Sequence, residues 1–135
     1  MSLSSGQLVH ALTKAFNSGD ARQLKPLLSR DVQVKFDVAG AFQSRHALLG
    51  FLNRFFRSYV AVEVRVRRLI VEDDLVIAEL LYTLKGKRGE ATSVRAVSVF
   101  EIVSGRVVSW TDHADLSAVE SAERQLWQRL AAARW

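Results

Sequence analysis

The chain has 135 residues, of which 49% are hydrophobic and 24% charged, so we expect a single globular domain over residues 1–135. It contains no cysteine, no apolar run near the ~20 residues of a membrane span and no secretion signal in its first residues, so we expect a cytoplasmic protein that does not engage a membrane. The net charge of +5 is spread along the chain without interleaved aromatic residues, which predicts a solvated surface and no nucleic-acid partner.

Two short helices are predicted at the start of the chain. Ser4 can cap the first helix, whose apolar residues recur at helical spacing. Gly19 ends this helix, because glycine accepts the left-handed conformation that commonly follows a helix. Asp20 then starts a second, shorter helix, with Gln23 three residues later in the position of a capping box.

A strand and a third helix follow. Residues 31–38 alternate apolar and polar side chains, which predicts a half-buried strand. Gly40 interrupts this pattern, and Ser44 can cap a third helix that runs to Tyr59. The aromatic residues of this helix share one face, so we assign them to the core.

The second half of the chain predicts four strands, at residues 60–71, 75–85, 92–103 and 106–113. Short glycine-containing tips join the last three strands into a meander. Since the helices come first and the strands afterwards, the fold class is α+β. Residues 116–135 return to helical spacing, and this extra C-terminal helix could cover a pocket, pack on its own sheet or join a dimer.

The last predicted hairpin holds the most informative residues. A two-residue loop at Ser104-Gly105 would pair Val97 with Asp112 and bring Arg95 diagonally next to Asp112. Trp110 and Asp112 would then share one face of the sheet, because side chains alternate along a strand. A carboxylate beside an indole on a half-buried face is costly unless it is hydrogen-bonded or functional, so the pattern indicates a pocket acid.

Residues 97–116, with the spacing Val-Phe-Glu, Gly, Trp-x-Asp-x-x-Asp-Leu, resemble the closing hairpin of the SnoaL-like and limonene-epoxide-hydrolase-like branches of the nuclear transport factor 2-like superfamily. The resemblance implies a cone-shaped α+β fold in which a curved mixed sheet packs against three N-terminal helices and encloses a small-molecule pocket. It also implies that Trp110 and Asp112 line this pocket.

The candidate catalytic residues are Asp112, Tyr82 and Arg95. Asp112 would act as a general base because burial raises the pKa of a carboxyl; alternatively, it ties the strand end to backbone amides. Tyr82 or Arg95 would stabilise an oxyanion, as a tyrosine does in ketosteroid isomerases, another branch of the superfamily. Alternatively, Tyr82 is an ordinary amphipathic aromatic residue of its strand. The candidate ligand-binding wall comprises Trp110, Phe36, Val34, Leu80 and Val97.

One departure from the family limits the chemistry. Leu80 and Tyr82 stand where the epoxide hydrolases carry an arginine and an aspartate, so no water-activating triad can form. We therefore expect a protein that binds a small hydrophobic molecule, without cofactor or metal. If it is an enzyme, we expect acid/base chemistry of the isomerase or cyclase type through Asp112. The alternative is a non-catalytic ligand-binding or dimerisation module, and the exposed sheet face predicts a homodimer.

Overall fold

A computed structural model describes residues 3–37 and 39–133. In chain order these residues form α1 (Ser5–Asn17), a 3-10 helix (Ala21–Leu27), β1 (Leu28–Phe36), β2 (Gly40–Phe42), α2 (Arg45–Arg57), β3 (Ala61–Glu72), β4 (Leu75–Lys85), β5 (Ala91–Val103), β6 (Arg106–Ala114) and α3 (Ser121–Ala132). The predicted α+β class is confirmed. Val38, assigned to the first strand, and residues 134–135, assigned to the last helix, lie outside the described residues.

The N-terminal helices begin and end where their capping residues predict. The Ser4 side chain accepts a bond from the Gln7 backbone amide while the Gln7 side chain accepts one from Ser4, which completes a capping box. Gly19 follows α1 with a φ of 72°. The element that starts after Asp20 is a 3-10 helix, with Pro26 near its end.

The six strands form one mixed sheet in the order β2-β1-β6-β5-β4-β3. β1 and β6 run parallel and every other pair is antiparallel. The sequence did not predict β2. Gly40, interpreted as the end of the strand pattern, instead begins β2 with a φ of 102°, and this short strand pairs back on β1.

The β5–β6 hairpin has the predicted turn but not the predicted register. Ser104 and Gly105 both have positive φ, as a two-residue primed turn requires, and Val103 pairs with Arg106. Beyond the next pair, Val108 has no partner in β5, so the register shifts by one residue. Asp112 therefore lies opposite Ser98, and the predicted pairing with Val97 is wrong.

The helices cover the inner face of the sheet. α1 packs mainly against β3, while α2 packs against β1 and against α3. The predicted start of the last helix near residue 116 is too early, because Ser117 donates its backbone amide to the Asp115 side chain in a turn and α3 begins only at Ser121. Across the described part of the chain, no helix combines the length and apolar character needed to cross a membrane.

Candidate functional site

A cavity lies between the inner face of the sheet and the helices. The space measures about 630 Å³ when its opening to solvent is included. Among the described residues, seven of the fourteen that line it are aromatic, and the rest are aliphatic residues and two aspartates. The aromatic residues are Phe16, Phe36, Phe51, Phe55, Tyr82, Trp110 and Trp127; the others are Asp37, Ala39, Leu52, Leu84, Val94, Asp112 and Ala114.

Asp112 is the buried polar group of this wall. Its side chain is 8% exposed and accepts hydrogen bonds on both carboxyl oxygens. The Ser98 hydroxyl, fully buried on β5, donates to Oδ1, and the Tyr82 hydroxyl on β4 donates to Oδ2 at 3.1 Å. Three neighbouring strands therefore bring one carboxyl and two hydroxyl groups together; Asp112 and Tyr82 line the cavity, whereas Ser98 is fully buried outside the lining.

Burial raises the pKa of the Asp112 carboxyl from 3.8 to about 6, because the ionised form loses its hydration. The hydrogen bonds from Ser98 and Tyr82 act in the opposite direction and lower this pKa. The negative charge of Asp37 raises it further, and His113 lowers it. The result is a carboxyl group that is largely ionised at neutral pH and accepts a proton readily, as a general base requires.

The hydroxyl group of Tyr82 is hydrogen-bonded to Asp112. A tyrosine has a single hydroxyl proton, and here it is donated to Oδ2 of Asp112. Burial, and next the Asp112 charge, raise the pKa of Tyr82 well above its usual value, so the phenol stays neutral. Tyr82 therefore orients Asp112, and its proton is not free for an oxyanion on the ligand.

A second carboxylate, Asp37, lies on the cavity wall just after β1. Its Oδ2 accepts the Ala114 backbone amide at 3.0 Å, and its Oδ1 lies 3.7 Å from Nδ1 of His113. The Asp37 side chain is 36% exposed, which places it in partial contact with solvent. Asp37 and Asp112 thus give the cavity two carboxylates at adjacent strand ends.

α3 closes one side of the cavity through Trp127. The Trp127 indole N–H donates to the Tyr59 hydroxyl at 2.7 Å, and Tyr59 donates to Glu123 at 2.5 Å. The other Glu123 oxygen accepts the Thr92 hydroxyl of β5 at 2.8 Å. Of the three positions expected for the last helix, α3 takes the one over the cavity.

Comparison with protein families gives a match to a SnoaL-like domain over residues 9–110. The chain belongs to the SnoaL-like domain family. This membership confirms the predicted relation to the nuclear transport factor 2-like superfamily. Asp112 and α3 both follow the matched segment. No protein of curated function matches the sequence.

Several solved structures share the fold of this SnoaL-like domain. A hypothetical protein with a ketosteroid isomerase-like fold from Catenulispora acidiphila, solved in complex with trimethylamine, is 20% identical, with a TM-score of 0.77, covering 84% of this chain and 88% of its own. An LEH-like epoxide hydrolase from M. tuberculosis is also 20% identical, with a TM-score of 0.76 and coverage of 94% and 92%. IdmH from Streptomyces antibioticus, for which polyketide cyclase activity has been suggested, is 18% identical, with a TM-score of 0.76 and coverage of 90% and 97%.

The SnoaL-like domain brings together only part of the predicted site. Asp112, Tyr82, Trp110 and Phe36 all line the cavity. The buried side chains of Val34 and Leu80 also lie on the inner face, but in the core outside the cavity lining.

The other two predicted residues, Arg95 and Val97, are on the wrong face. The register shift at Val108 turns both toward the exposed outer face of the sheet, so neither contacts the cavity. The expectations that Arg95 stabilises an oxyanion and that Val97 belongs to the ligand-binding wall are therefore corrected.

Sequence reasoning missed Ser98 and Asp37. Ser98 could have been found only from the correct register, since it is an ordinary polar residue in an alternating strand. In the alternating strand pattern, Asp37 is predicted to face outward. It lines the cavity because β1 ends at Phe36, so Asp37 lies just beyond the strand and does not follow the alternation.

Two further observations concern the polar groups of the described residues. The indole N–H of Trp110 is buried and has no hydrogen-bond partner among the described residues. Within residues 3–37 and 39–133, no three histidine, aspartate or glutamate side chains are grouped as a metal site would require.

Proposed function

We propose that this protein binds a small, largely apolar molecule in its aromatic cavity and that Asp112 acts on it as a general base. The observation that carries the proposal is the buried Asp112 carboxyl on the cavity wall, with a pKa raised to about 6 by burial. A cavity with mostly apolar walls and a few convergent polar groups is typical of small-molecule sites. A perturbed carboxyl in such a cavity is typical of acid/base catalysis.

The reaction class that fits is proton transfer at carbon, without a cofactor. The ionised Asp112 carboxylate takes a proton from a carbon next to a C=O or C=N group, and the C–H electron pair moves into that conjugated system. In an isomerisation, the Asp112 carboxylic acid returns the proton to a different carbon. In an aldol-type cyclisation, the new carbon nucleophile attacks a second carbonyl carbon, and the resulting alkoxide takes the proton back from Asp112.

Ser98 and Tyr82 would hold the Asp112 carboxyl in place during both transfers. Each hydroxyl occupies one lone pair of a different carboxyl oxygen, so the remaining lone pairs are available to the ligand. Trp110, 3% exposed, and Phe36 would pack against the apolar body of the ligand.

Relatives of the same fold support small-molecule chemistry, though not one reaction. One is named an epoxide hydrolase, and for another polyketide cyclase activity has been suggested. Leu80 and Tyr82 lie on the inner face of β4, where the epoxide hydrolases of this family need an arginine and an aspartate, so we do not propose epoxide hydrolysis.

The proposal is tested by hydrogen–deuterium exchange at carbon. A set of small cyclic and aromatic ketones and imines is incubated with the protein in D₂O, and the NMR signals of the acidic C–H groups are followed. We expect loss of signal for at least one compound with the wild type, at least a hundredfold slower loss with Asp112→Asn, and the wild-type rate with the exposed control Asp31→Asn. Equal exchange rates in wild type and Asp112→Asn, for every compound bound, would rule out the general base.

A second candidate function is that of a dimerisation module. The outer face of the sheet exposes several apolar side chains, including Ile70 at 63%, Leu75 at 39% and Val97 at 43%. Exposed apolar residues that share a face favour an interface. We expect light scattering after size exclusion to give the mass of a dimer, and Val97→Lys to give a monomer. A wild-type monomer at high protein concentration would exclude this candidate.

A further inference from the structure

The charges of the cavity wall are all negative. Asp37 and Asp112 line it, while no lysine, arginine or histidine side chain does so among the described residues. This contrasts with the whole chain, which has a net charge of +5. A ligand carrying a carboxylate or phosphate would therefore meet two carboxylates at close range. The neighbouring basic side chain, His113, pairs with Asp37 at 3.7 Å and does not line the cavity.

The hydrogen-bonding groups of the wall are almost all acceptors. The protons of Tyr82 and Ser98 are donated to Asp112, and the Trp127 indole N–H is donated to Tyr59. The Trp110 N–H has no partner, but the nitrogen is itself buried, so a ligand in the cavity does not reach it in this arrangement. What the side chains offer to a ligand is carboxylate and phenol oxygen, and these oxygens accept hydrogen bonds.

We propose that the ligand of this cavity is an apolar organic cation, an amine protonated or alkylated at nitrogen. The inference rests on the proposed function in one respect, that the cavity binds a small molecule. It adds the chemical class of that molecule. The wall favours a cation because it offers carboxylate oxygens and aromatic faces, while the side-chain donors are used within the protein or buried.

The aromatic wall suits such a cation as well as the carboxylates do. The ring face of a tryptophan or phenylalanine attracts an ammonium group, and the attraction is stronger where water is excluded. Phe36 and Trp110 meet edge to face, with centroids 5.1 Å apart, beside the Asp112 strand end. A substituted ammonium group could therefore lie against aromatic faces while it contacts the carboxylate.

The same class of ligand answers a difficulty of the proposed chemistry. Proton abstraction by Asp112 leaves negative charge on the substrate. Apart from the buried Trp110 N–H, the described wall has no free side-chain donor, and it has no cation, to stabilise that charge. A substrate with its own positive nitrogen close to the reacting carbon offsets that charge internally. The ligand then supplies the stabilisation that Arg95 and Tyr82 were expected to give.

Binding should follow the ionisation of Asp112. The groups that face Asp112 are Tyr82 from β4, Ser98 from β5, Asp37 after β1 and the adjacent His113, whereas α1, α2 and α3 contribute only aromatic and aliphatic side chains to the wall. Protonation of Asp112 as the pH falls through about 6 removes the charge nearest the cation. Affinity for the cation should therefore fall between pH 8 and pH 5.

The test uses three probes of similar shape and different charge: benzyltrimethylammonium, its uncharged carbon isostere neopentylbenzene, and the anion 3-phenylpropionate. Dissociation constants are measured by ligand-observed NMR at pH 8 and at pH 5. We expect the cation to bind at least about tenfold more tightly than the isostere at pH 8, and the anion not to bind. Asp112→Asn should weaken the cation about tenfold, leave the isostere unchanged, and differ from Asp31→Asn, which should alter neither.

Three outcomes separate this inference from the proposed function. Equal or tighter binding of the isostere or the anion, measured at pH 8, would overturn the inference and leave a ligand-binding cavity in place. Cation binding that is insensitive to Asp112→Asn would overturn it as well. Failure of all three probes to bind would contradict the ligand-binding cavity itself, and the proposed function with it.

Discussion

Two clusters in this molecule combine the same three groups, a tyrosine hydroxyl, an aliphatic hydroxyl and a carboxyl. In the first, Tyr82 and Ser98 donate to Asp112 on the sheet. In the second, Tyr59 and Thr92 donate to Glu123 at the edge of α3.

Their surroundings differ. Asp112 is buried on the wall of the aromatic cavity, whereas Glu123 is half-buried and does not line the cavity. The hydrogen bonds are alike, so the difference in chemical role must come from burial. Loss of hydration makes Asp112 a proton acceptor near neutral pH, while the Glu123 cluster fixes a helix over the cavity.

The largest expected effect is a difference in activity between variants of the two carboxyl groups, Asp112 and Glu123. Asp112→Asn should slow proton exchange on a bound substrate by a factor of about 10² to 10⁴, the usual contribution of a general base. Glu123→Gln keeps the size of the side chain and should change the rate by no more than about threefold. The measurement is the exchange rate followed by NMR in D₂O. A similar loss of rate in both variants would mean that the hydrogen bonds of Tyr59 and Thr92 to Glu123, here called the helix clasp, are as important for the rate as Asp112.

The next effect is a pH-dependent change in stability that is expected for Asp112. The folded pKa of Asp112 lies above its unfolded value, so its favourable contribution to folding is complete below pH 3.8 and is lost as the pH rises through about 6. Asp112→Asn should therefore raise the free energy of unfolding by up to about 3 kcal/mol at pH 8, with the gain disappearing near pH 3.5. Urea unfolding at several pH values measures this. A variant less stable than wild type at pH 8 would contradict the burial argument.

A smaller effect is expected when the helix clasp is cut. Tyr59→Phe removes the acceptor of the buried Trp127 N–H and one donor to Glu123, which should lower the free energy of unfolding by about 1–3 kcal/mol. Thermal unfolding monitored by circular dichroism provides the measurement. Thr92→Val is the milder comparison, since it removes a single bond to Glu123. An unchanged stability in both variants would show that the Tyr59, Thr92 and Glu123 hydrogen bonds do not hold α3 in place.

The smallest effect concerns the two hydroxyl donors to Asp112, Ser98 and Tyr82. Ser98→Ala and Tyr82→Phe each remove a hydrogen bond that favours the ionised carboxyl, so each should raise the pKa of Asp112 above about 6. A carboxyl-carbon NMR titration of Asp112 reports this shift directly. If the pKa falls in either variant, the hydroxyl groups do not act as donors to the ionised form.

Much of the fold could be predicted because its signals are local. Ser4, Gly19 and Ser44 mark helix ends through bonds and backbone angles set within a few residues. The hairpin turn at Ser104-Gly105 is equally local. The bulge at Val108 has no such signal, because it depends on how β6 fits between β5 and the parallel β1. One unpaired residue was enough to turn Arg95 and Val97 to the outer face and to bring Ser98 to Asp112.

The sequence by itself determined the α+β class, the order of the main elements and the presence of Trp110 and Asp112 on one face, since side-chain alternation and capping are properties of neighbouring residues. Only the tertiary structure decided which groups surround Asp112, that Asp37 joins the cavity wall and that α3 covers it with Trp127. Those contacts join residues far apart in the chain. Their geometry follows from the cross-strand register and helix packing, and from that geometry come the burial of Asp112 and its raised pKa.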